Sequence, residues 1–482
     1  MAIEPDPRSK WDPAEVRRVA HRVADMLADY LEALPDRPVF APVPVDAAAR
    51  FVTEAVPAIG SEPNAILDDF ARSIGPYPFG NGHPRFWAWV NSPPSVMGIF
   101  ADALAAAMNP SVAGGNHAAV HVERQVIRWF AEMLGLPATA MGLLVSGGSM
   151  ANLTALAAAR HAKAGFDVRA RGLQSGDQRL VVYMSEEGHG CIRKAAEIMG
   201  IGSESLRVVP VNERAEMRVD VLAETIDRDL QAGYRPIAVA ASAGTVNTGA
   251  IDDLAAIAAI CRREKLWFHV DGAFGGLAAL SERLRPLVRG MEAADSLAFD
   301  LHKWLHVPYD AGCVLVKSAA AHRRPFTTDA AYLAPMDRGA APRDPGMRGP
   351  ELSSEFRALK VWLLLKEHGS AKLARLIEQN VAQAKYLADL VRAAPALELV
   401  APVPLNIVCL RYRGEGSGDL DALNRELLMR LQEQGIAVPS GATLGGKFAI
   451  RVAITNHRSR REDFDTLVQA VVKIGAEVAA GK

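Results

Sequence analysis

Between Leu180 and Val270 short apolar runs alternate with helix-length amphipathic runs, and no other feature restricts the possible fold so tightly. Strands are expected at Leu180 to Met184, Leu206 to Val209, Ile237 to Ala241 and Trp267 to Val270. Helices are expected between them, at Ile192 to Met199, Val221 to Leu230 and Leu254 to Glu264. Strands joined through helices lie parallel, so the expected core is an α/β, mainly parallel sheet with helices on its faces. A strand at Leu143 to Val145 precedes this block, and a pair at Ser296 to Phe299 and Gly312 to Val316 follows it. Ligands of such sheets bind outside the carboxyl ends of the strands, so residues just past those ends are the candidates for function.

Five such ends carry chemistry. After Val145 come Ser146, Gly147, Gly148 and Ser149, then the alanine-rich helical run Met150 to Arg160. Glycines let backbone N–H groups approach an anion, the helix start adds its positive dipole end, and the serine hydroxyls can donate further bonds. That turn reads as a phosphate cradle. It has neither the GK[ST] of a P-loop nor a GxGxxG fingerprint. Asp271 ends the strand in WFHVDGAFGG, where a carboxylate needs a cationic partner. His189 and Thr245 each follow a strand end. Lys303, between His302 and Trp304, sits in the turn between the last two strands, where desolvation is expected to lower its pKa and favour a nucleophilic amine.

The SGGS turn, His189 in SEEGHGCIRKA, HVDGAFGG with Asp271 and DLHKWL with Lys303 occur in that order along the chain. With these marks the chain resembles the group II pyridoxal-phosphate-dependent amino acid decarboxylases, the aromatic-L-amino-acid decarboxylase family, over nearly its whole length. The resemblance implies an aspartate-aminotransferase-like (fold type I) architecture with pyridoxal 5'-phosphate held as a Schiff base on Lys303. It implies that Asp271 pairs with the pyridinium nitrogen, that His189 stacks on the ring, and that Thr245, Ala273 and His302 line the cofactor site. Decarboxylation would pass through a quinonoid, reprotonated by Tyr332 of TTDAAYLAP, for which a plain surface role is the alternative. Amine is the expected product, because the residues whose replacement accompanies aldehyde formation are both present. A decarboxylase of acidic or diamino acids, an aldehyde synthase, an aminotransferase or desulfurase, and a non-catalytic binding module are the other readings.

The substrate side is less determined. Trp87 and Trp89, in the strand-like PRFWAWVN, fit either a pocket wall or the core. Asn109 and Ser111 are small and polar where relatives acting on aromatic substrates often carry bulk, which leaves the side-chain preference open. His117 and His121 are four apart but lack an HExxH context or a third ligand, so no metal site is expected. Arg451, inside a strand, is expected to find an acidic partner.

Three segments are expected: an N-terminal helical dimerisation segment (1–83), a large cofactor-binding α/β domain (84–365) and a small C-terminal α+β domain (366–482). In the first, Pro13 to Leu34 and Asn64 to Ile74 read as amphipathic helices joined by a proline-rich extended stretch. They must dock on something, either a second subunit, giving a homodimer with the active site at the interface, or the chain's own large domain. Ser318 to Glu351 lacks periodicity and reads as a lid or disordered loop. Lysine and arginine number 54 against 55 acids, so no excess charge points to nucleic acid or a membrane surface. The four cysteines form no CxxC pair, and no run suits a signal peptide or a bilayer span, so a cytoplasmic location is expected.

Overall fold

The computed structural model describes residues 11–327, 349–414 and 418–481. Seven strands form the main sheet: β1 (Met141–Val145), β2 (Leu180–Ser185), β3 (Leu206–Val209), β4 (Arg235–Ser242), β5 (Trp267–Asp271), β6 (Ser296–Asp300) and β7 (Gly312–Val316). Their order is β1-β7-β6-β5-β4-β2-β3. Strands β2 to β6 pair in parallel, while β7 runs antiparallel to both β6 and β1. β2, β5, β6 and β7 are buried along their whole length, which is why each reads as a mostly apolar run rather than as alternation.

The helix Gly148–Lys163 lies across β4, β5, β6 and β7. Ala151, Ala155, Ala158 and Ala159 face the sheet, and their small side chains let the helix axis sit close to it. Close approach fixes the start of that helix, and with it the glycine turn, over the ends of β6 and β7.

A second sheet follows the order β10-β11-β9-β8, with β8 (Leu397–Leu399), β9 (Ile407–Tyr412), β10 (Ser440–Leu444) and β11 (Lys447–Ala453) all antiparallel. The helical stretch Ala358–Ala393, broken at Gly369 where φ is +66°, joins the two cores. Val361, Leu364 and Ile377 pack into the main core, and Leu387 and Val391 into the C-terminal one.

Three sequence expectations differ from the structure. Residues 84–91 form no strand. Turns flank Phe86 and Trp87, which lie beside the small sheet, with Trp87 N–H donating to the Val438 carbonyl at 2.8 Å and Ala453 N–H to the Trp87 carbonyl at 3.0 Å. Trp89 then takes φ +51°, which breaks strand geometry. The stretch expected to be extended after Leu34 contains a helix at Val45–Thr53, with Pro44 as its N-cap residue, so that proline precedes the helix without interrupting it. The apolar stretch Val400 to Tyr412, which reads as one strand in the sequence, is strand only at Ile407–Tyr412, because Pro402 and Pro404 fall in its first half.

Candidate active site at the strand ends

Ser146, Gly147, Gly148, Ser149, His189, Thr245, Asp271, Ala273, His302 and Lys303 all line one cavity of about 450 Å³ beyond the ends of the parallel strands. Trp89, Val90, Asn91, Asn152, Val246, Phe274 and Asp300 complete the parts of its wall that matter here. Every expected cofactor residue is thus brought to one place.

The turn after β1 is built for an anion. Gly148 starts a sixteen-residue helix whose N-cap, Gly147, offers no side chain, so the first N–H groups have no side-chain acceptor. A Cβ on Gly148 would lie 2.8 Å from Asp300 Oδ2, and one on Gly147 3.3 Å from His302 Cε1. Only glycines leave room for the backbone to close over the ends of β6 and β7.

Asp271 is buried at the end of β5. Its Oδ1 accepts from Ala273 N–H at 3.1 Å and its Oδ2 from Asn152 Nδ2 at 3.2 Å. Asn152 is itself oriented: its Oδ1 meets His269 Nε2 at 2.6 Å, His269 Nδ1 meets Ser296 Oγ at 2.8 Å, and Ser296 Oγ accepts from the Trp267 indole N–H at 2.8 Å. With its amide NH2 given to Asp271, Asn152 Oδ1 must accept, so His269 carries its hydrogen on Nε2 and takes the serine proton on Nδ1. Four donors therefore point in sequence toward one carboxylate. Burial holds His269 neutral, lowering its pKa to about 4. Burial also raises the Asp271 pKa, against the opposing pull of Lys303 and His189, so the carboxylate stands where a cation would be welcome.

Lys303 departs from expectation. Desolvation alone would lower its pKa, but the Asp300 carboxylate, 2.8 Å from Nζ, and then Asp271 outweigh it, and the net shift is upward. The neighbours in sequence do not desolvate it as expected. The Trp304 indole is fully buried on the other side and donates to Asn380 Oδ1 at 3.0 Å. His302 accepts from Ala311 N–H on Nδ1 at 3.1 Å and lies against the Tyr309 ring, centroids 4.3 Å apart. Asp300 was missed in the sequence because it reads as the last polar residue of a strand. Its position three residues before a helical lysine was the available signal.

His189 caps the helix Gly190–Ile198, its Nδ1 accepting from Cys191 N–H at 3.2 Å, which leaves the hydrogen of the neutral ring on Nε2. Thr245 Oγ1 bonds Thr248 Oγ1 at 3.0 Å in the loop after β4. Of the two tryptophans, Trp89 lines the cavity, is half exposed and stacks on Phe79 at 5.1 Å. Trp87 does not: it is fully buried, stacked on Phe464 at 5.1 Å, with its N–H on Ser459 Oγ at 3.0 Å. Asn109 and Ser111 line a separate cavity beside Asp102, Tyr309 and Arg357. Tyr332 lies outside the described residues.

Arg451 has no acidic partner among the described residues. Its Nε donates to the Val246 carbonyl at 2.7 Å, and its Nη1 to the Trp89 carbonyl at 2.7 Å and to Ser440 Oγ at 3.1 Å. Two of those carbonyls belong to cavity-lining residues. Burial without a counter-charge lowers the Arg451 pKa to about 10.

A lysine and an aspartate at the ends of neighbouring parallel strands, with a glycine anion cradle at the start of the crossing helix, define a fold type I pyridoxal-phosphate enzyme. The cradle, the buried acid awaiting a cation and the primary amine each fit one end of that cofactor. Residues 46–413 match the model of the pyridoxal-dependent decarboxylase conserved domain, and the chain belongs to that family. It is 33% identical to the aromatic-L-amino-acid decarboxylase of Bacillus atrophaeus over 471 residues, covering 96% of each protein. It is 32% identical to Drosophila melanogaster histidine decarboxylase, covering 94% of this chain and 54% of that protein. Among solved structures, Oryza sativa TDC with PLP and tryptamine superposes with a TM-score of 0.90 at 27% identity, over 99% of this chain and 100% of that one. The chain is a pyridoxal-phosphate-dependent amino acid decarboxylase.

Proposed function

We propose that the substrate is an aromatic L-amino acid, released as its amine and carbon dioxide. The observation carrying this is the cavity wall beside Lys303, where Trp89, Val90, Val246 and Phe274 present apolar surface and, among the described residues, no arginine and no second lysine lines the cavity to meet an acidic side chain. Similarity to the Bacillus atrophaeus enzyme supports the same reading. Bound pyridoxal phosphate supplies an electron sink for the pair left when carbon dioxide departs. The chain's residues do the rest. The N–H groups and hydroxyls of Ser146 to Ser149 would bind the phosphate, Asp271 would hold a proton on the ring nitrogen, and Lys303 would provide the amine that carries the cofactor. His189, which lines the cavity, would stack on the ring, orient the substrate and lend its Nε2 hydrogen, while Tyr332 would supply the proton taken up at the former carboxyl-bearing carbon. Thr245, Ala273 and His302 shape the walls. Arg451 holds Trp89 and Val246 through their carbonyls.

The expected assembly is a homodimer. The helices Pro13–Ala33, Val45–Thr53 and Pro63–Ser73 bury none of their residues within the chain. Val96, Phe100, Leu104 and Met108 form an exposed apolar stripe at four-residue spacing on one helix that leads directly to Asn109 and Ser111. A second copy would cover both surfaces and bring Asn109 and Ser111 near an active site. The division into segments 1–83, 84–365 and 366–482 rests on the same unburied helices and on the two cores. Four buried free cysteines suit a cytoplasmic location, and no helix among the described residues is long and apolar enough to cross a membrane.

Reconstituted enzyme assayed for carbon dioxide, amine, aldehyde and peroxide across tryptophan, tyrosine, phenylalanine, histidine, glutamate and diaminobutyrate tests the proposal. Aromatic substrates should lead in kcat/KM, with amine matching carbon dioxide one to one. A leading acidic or diamino substrate, or equimolar aldehyde and peroxide, would replace it.

A further inference from the structure

Asp300 is the charged group lying nearest beneath the glycine turn. Its Oδ2 would be 2.8 Å from a Cβ on Gly148, and its Oδ1 2.8 Å from one on Gly312. Oδ2 accepts from the Lys303 ammonium at 2.8 Å. Oδ1 is buried and has no hydrogen-bond partner among the described residues. A carboxylate is therefore held between a phosphate cradle and the reacting lysine. When a phosphate dianion enters the cradle, a carboxylate beside it is repelled, whereas a neutral carboxylic acid donates a hydrogen bond.

We propose that Asp300 couples phosphate binding to activation of Lys303: phosphate in the Ser146–Ser149 cradle drives the ammonium proton from Lys303 Nζ onto Asp300. This rests on the reading of Ser146 to Ser149 as the phosphate site. In the transfer one N–H bond breaks, its electron pair stays on nitrogen as the nucleophilic lone pair, and one O–H bond forms on Asp300. The pair keeps its single proton, so no outside acid or base is consumed. The sign follows from geometry: the dianion lies on the Asp300 side, and a proton moved toward it is stabilised.

The other groups facing the pair do not take this proton. His302, with Nε2 at 3.9 Å from Asp300 Oδ2, has its pKa lowered by burial and is a poorer base than a free imidazole. The Cys191 thiol is pushed up to about 12, and burial also raises Cys313 and the Tyr309 phenol, so all three stay neutral. Asp271 feels the Lys303 charge, but its oxygens are occupied by Ala273 N–H and Asn152. Among the described residues, Asp300 alone is hydrogen-bonded to the ammonium.

The test uses the full-length chain freed of cofactor and pyridoxal, the aldehyde that lacks the phosphate. Adduct formation at Lys303 is followed by absorbance at neutral pH, with and without inorganic phosphate, while calorimetry reports phosphate binding. In the parent protein phosphate should speed adduct formation roughly tenfold, the effect of one pKa unit on the free-amine fraction. In Asp300→Asn, and independently in Asp300→Ser, the lysine loses its ion-pair partner, so the adduct should form faster than in the parent without phosphate. Added phosphate should then give no acceleration or slow it, because an anion now only favours the ammonium. If phosphate binds the parent but leaves its adduct rate unchanged, or accelerates the variants equally, the coupling is overturned while the cradle stands. If phosphate does not bind at all and pyridoxal phosphate binds no tighter than pyridoxal, the cradle reading fails and the coupling with it.

Discussion

Lys303 and Asp271 divide the chemistry between them, and substitutions at each should fail differently. Lys303→Ala removes the amine and should lower kcat by roughly a thousandfold or more while the protein stays folded, as a steady-state assay beside a melting curve would show. Asp271→Asn leaves the cavity's shape but removes the charge that keeps the ring nitrogen protonated, so kcat should fall by about as much while the cofactor is still bound. A kcat within tenfold of the parent would remove Asp271 from that role. Trp89→Ala should instead act on substrate binding, raising KM for an aromatic substrate by roughly tenfold, the worth of one well-packed ring. Trp87→Ala empties part of the C-terminal core and should cost about 3–5 kcal/mol of stability. The sequence held the two tryptophans equal because both follow the same aromatic pattern, and only the left-handed turn at Trp89 sends one outward.

At the scale of elements, the main sheet was readable because its central strands are buried on both faces and mostly apolar, with helices of clear period between them. The site followed from the strands, since Ser146, His189, Thr245, Asp271 and Lys303 each stand at or just past a strand or its following turn. What escaped has physical reasons. β10 alternates half-buried and exposed small residues, so Ser440–Leu444 carries no apolar signal. Residues 84–91 have the alternation of a strand but pair through single backbone bonds. Asp300 and the chain Trp267–Ser296–His269–Asn152 depend on contacts between elements far apart in sequence. The tightest element-level constraint is the glycine turn over β6 and β7. Gly148→Ala would push a methyl to 2.8 Å from Asp300 Oδ2, and shifting the turn should weaken cofactor affinity roughly tenfold, for a strain of about 1–3 kcal/mol. Equilibrium titration with pyridoxal phosphate checks this, and unchanged affinity would show that the turn yields without cost.

For the molecule as a whole, the unburied N-terminal helices and the Phe100–Leu104 stripe are the surfaces that the proposed second copy would cover. Phe100→Asp combined with Leu104→Asp should convert a dimer to monomer by light scattering and reduce activity with it; a parent protein already monomeric and active would contradict the proposed assembly. Acid should also unfold the enzyme early. Burial disfavours the charged forms of His269 and His457, lowering each to about 4, and burial lowers His306 well below the usual histidine range. An unfolded histidine binds its proton near pH 6.5, so this stability is full above that pH and is lost as pH falls toward 4, roughly 3 kcal/mol from His269 alone. Melting temperatures should hold from pH 8 to 7 and drop steeply below 6; a flat profile down to pH 4.5 would mean these rings are not held neutral. The central claim is that Lys303 carries pyridoxal phosphate for decarboxylation, and one measurement meets it directly. Cofactor-loaded protein is reduced with borohydride, digested and mapped by mass spectrometry, with carbon dioxide release from an aromatic L-amino acid measured before and after. The account predicts a visible band that bleaches, a phosphopyridoxyl mass on the peptide containing Lys303, and complete loss of carbon dioxide release. A modification on any other lysine, or undiminished release after reduction, would contradict it.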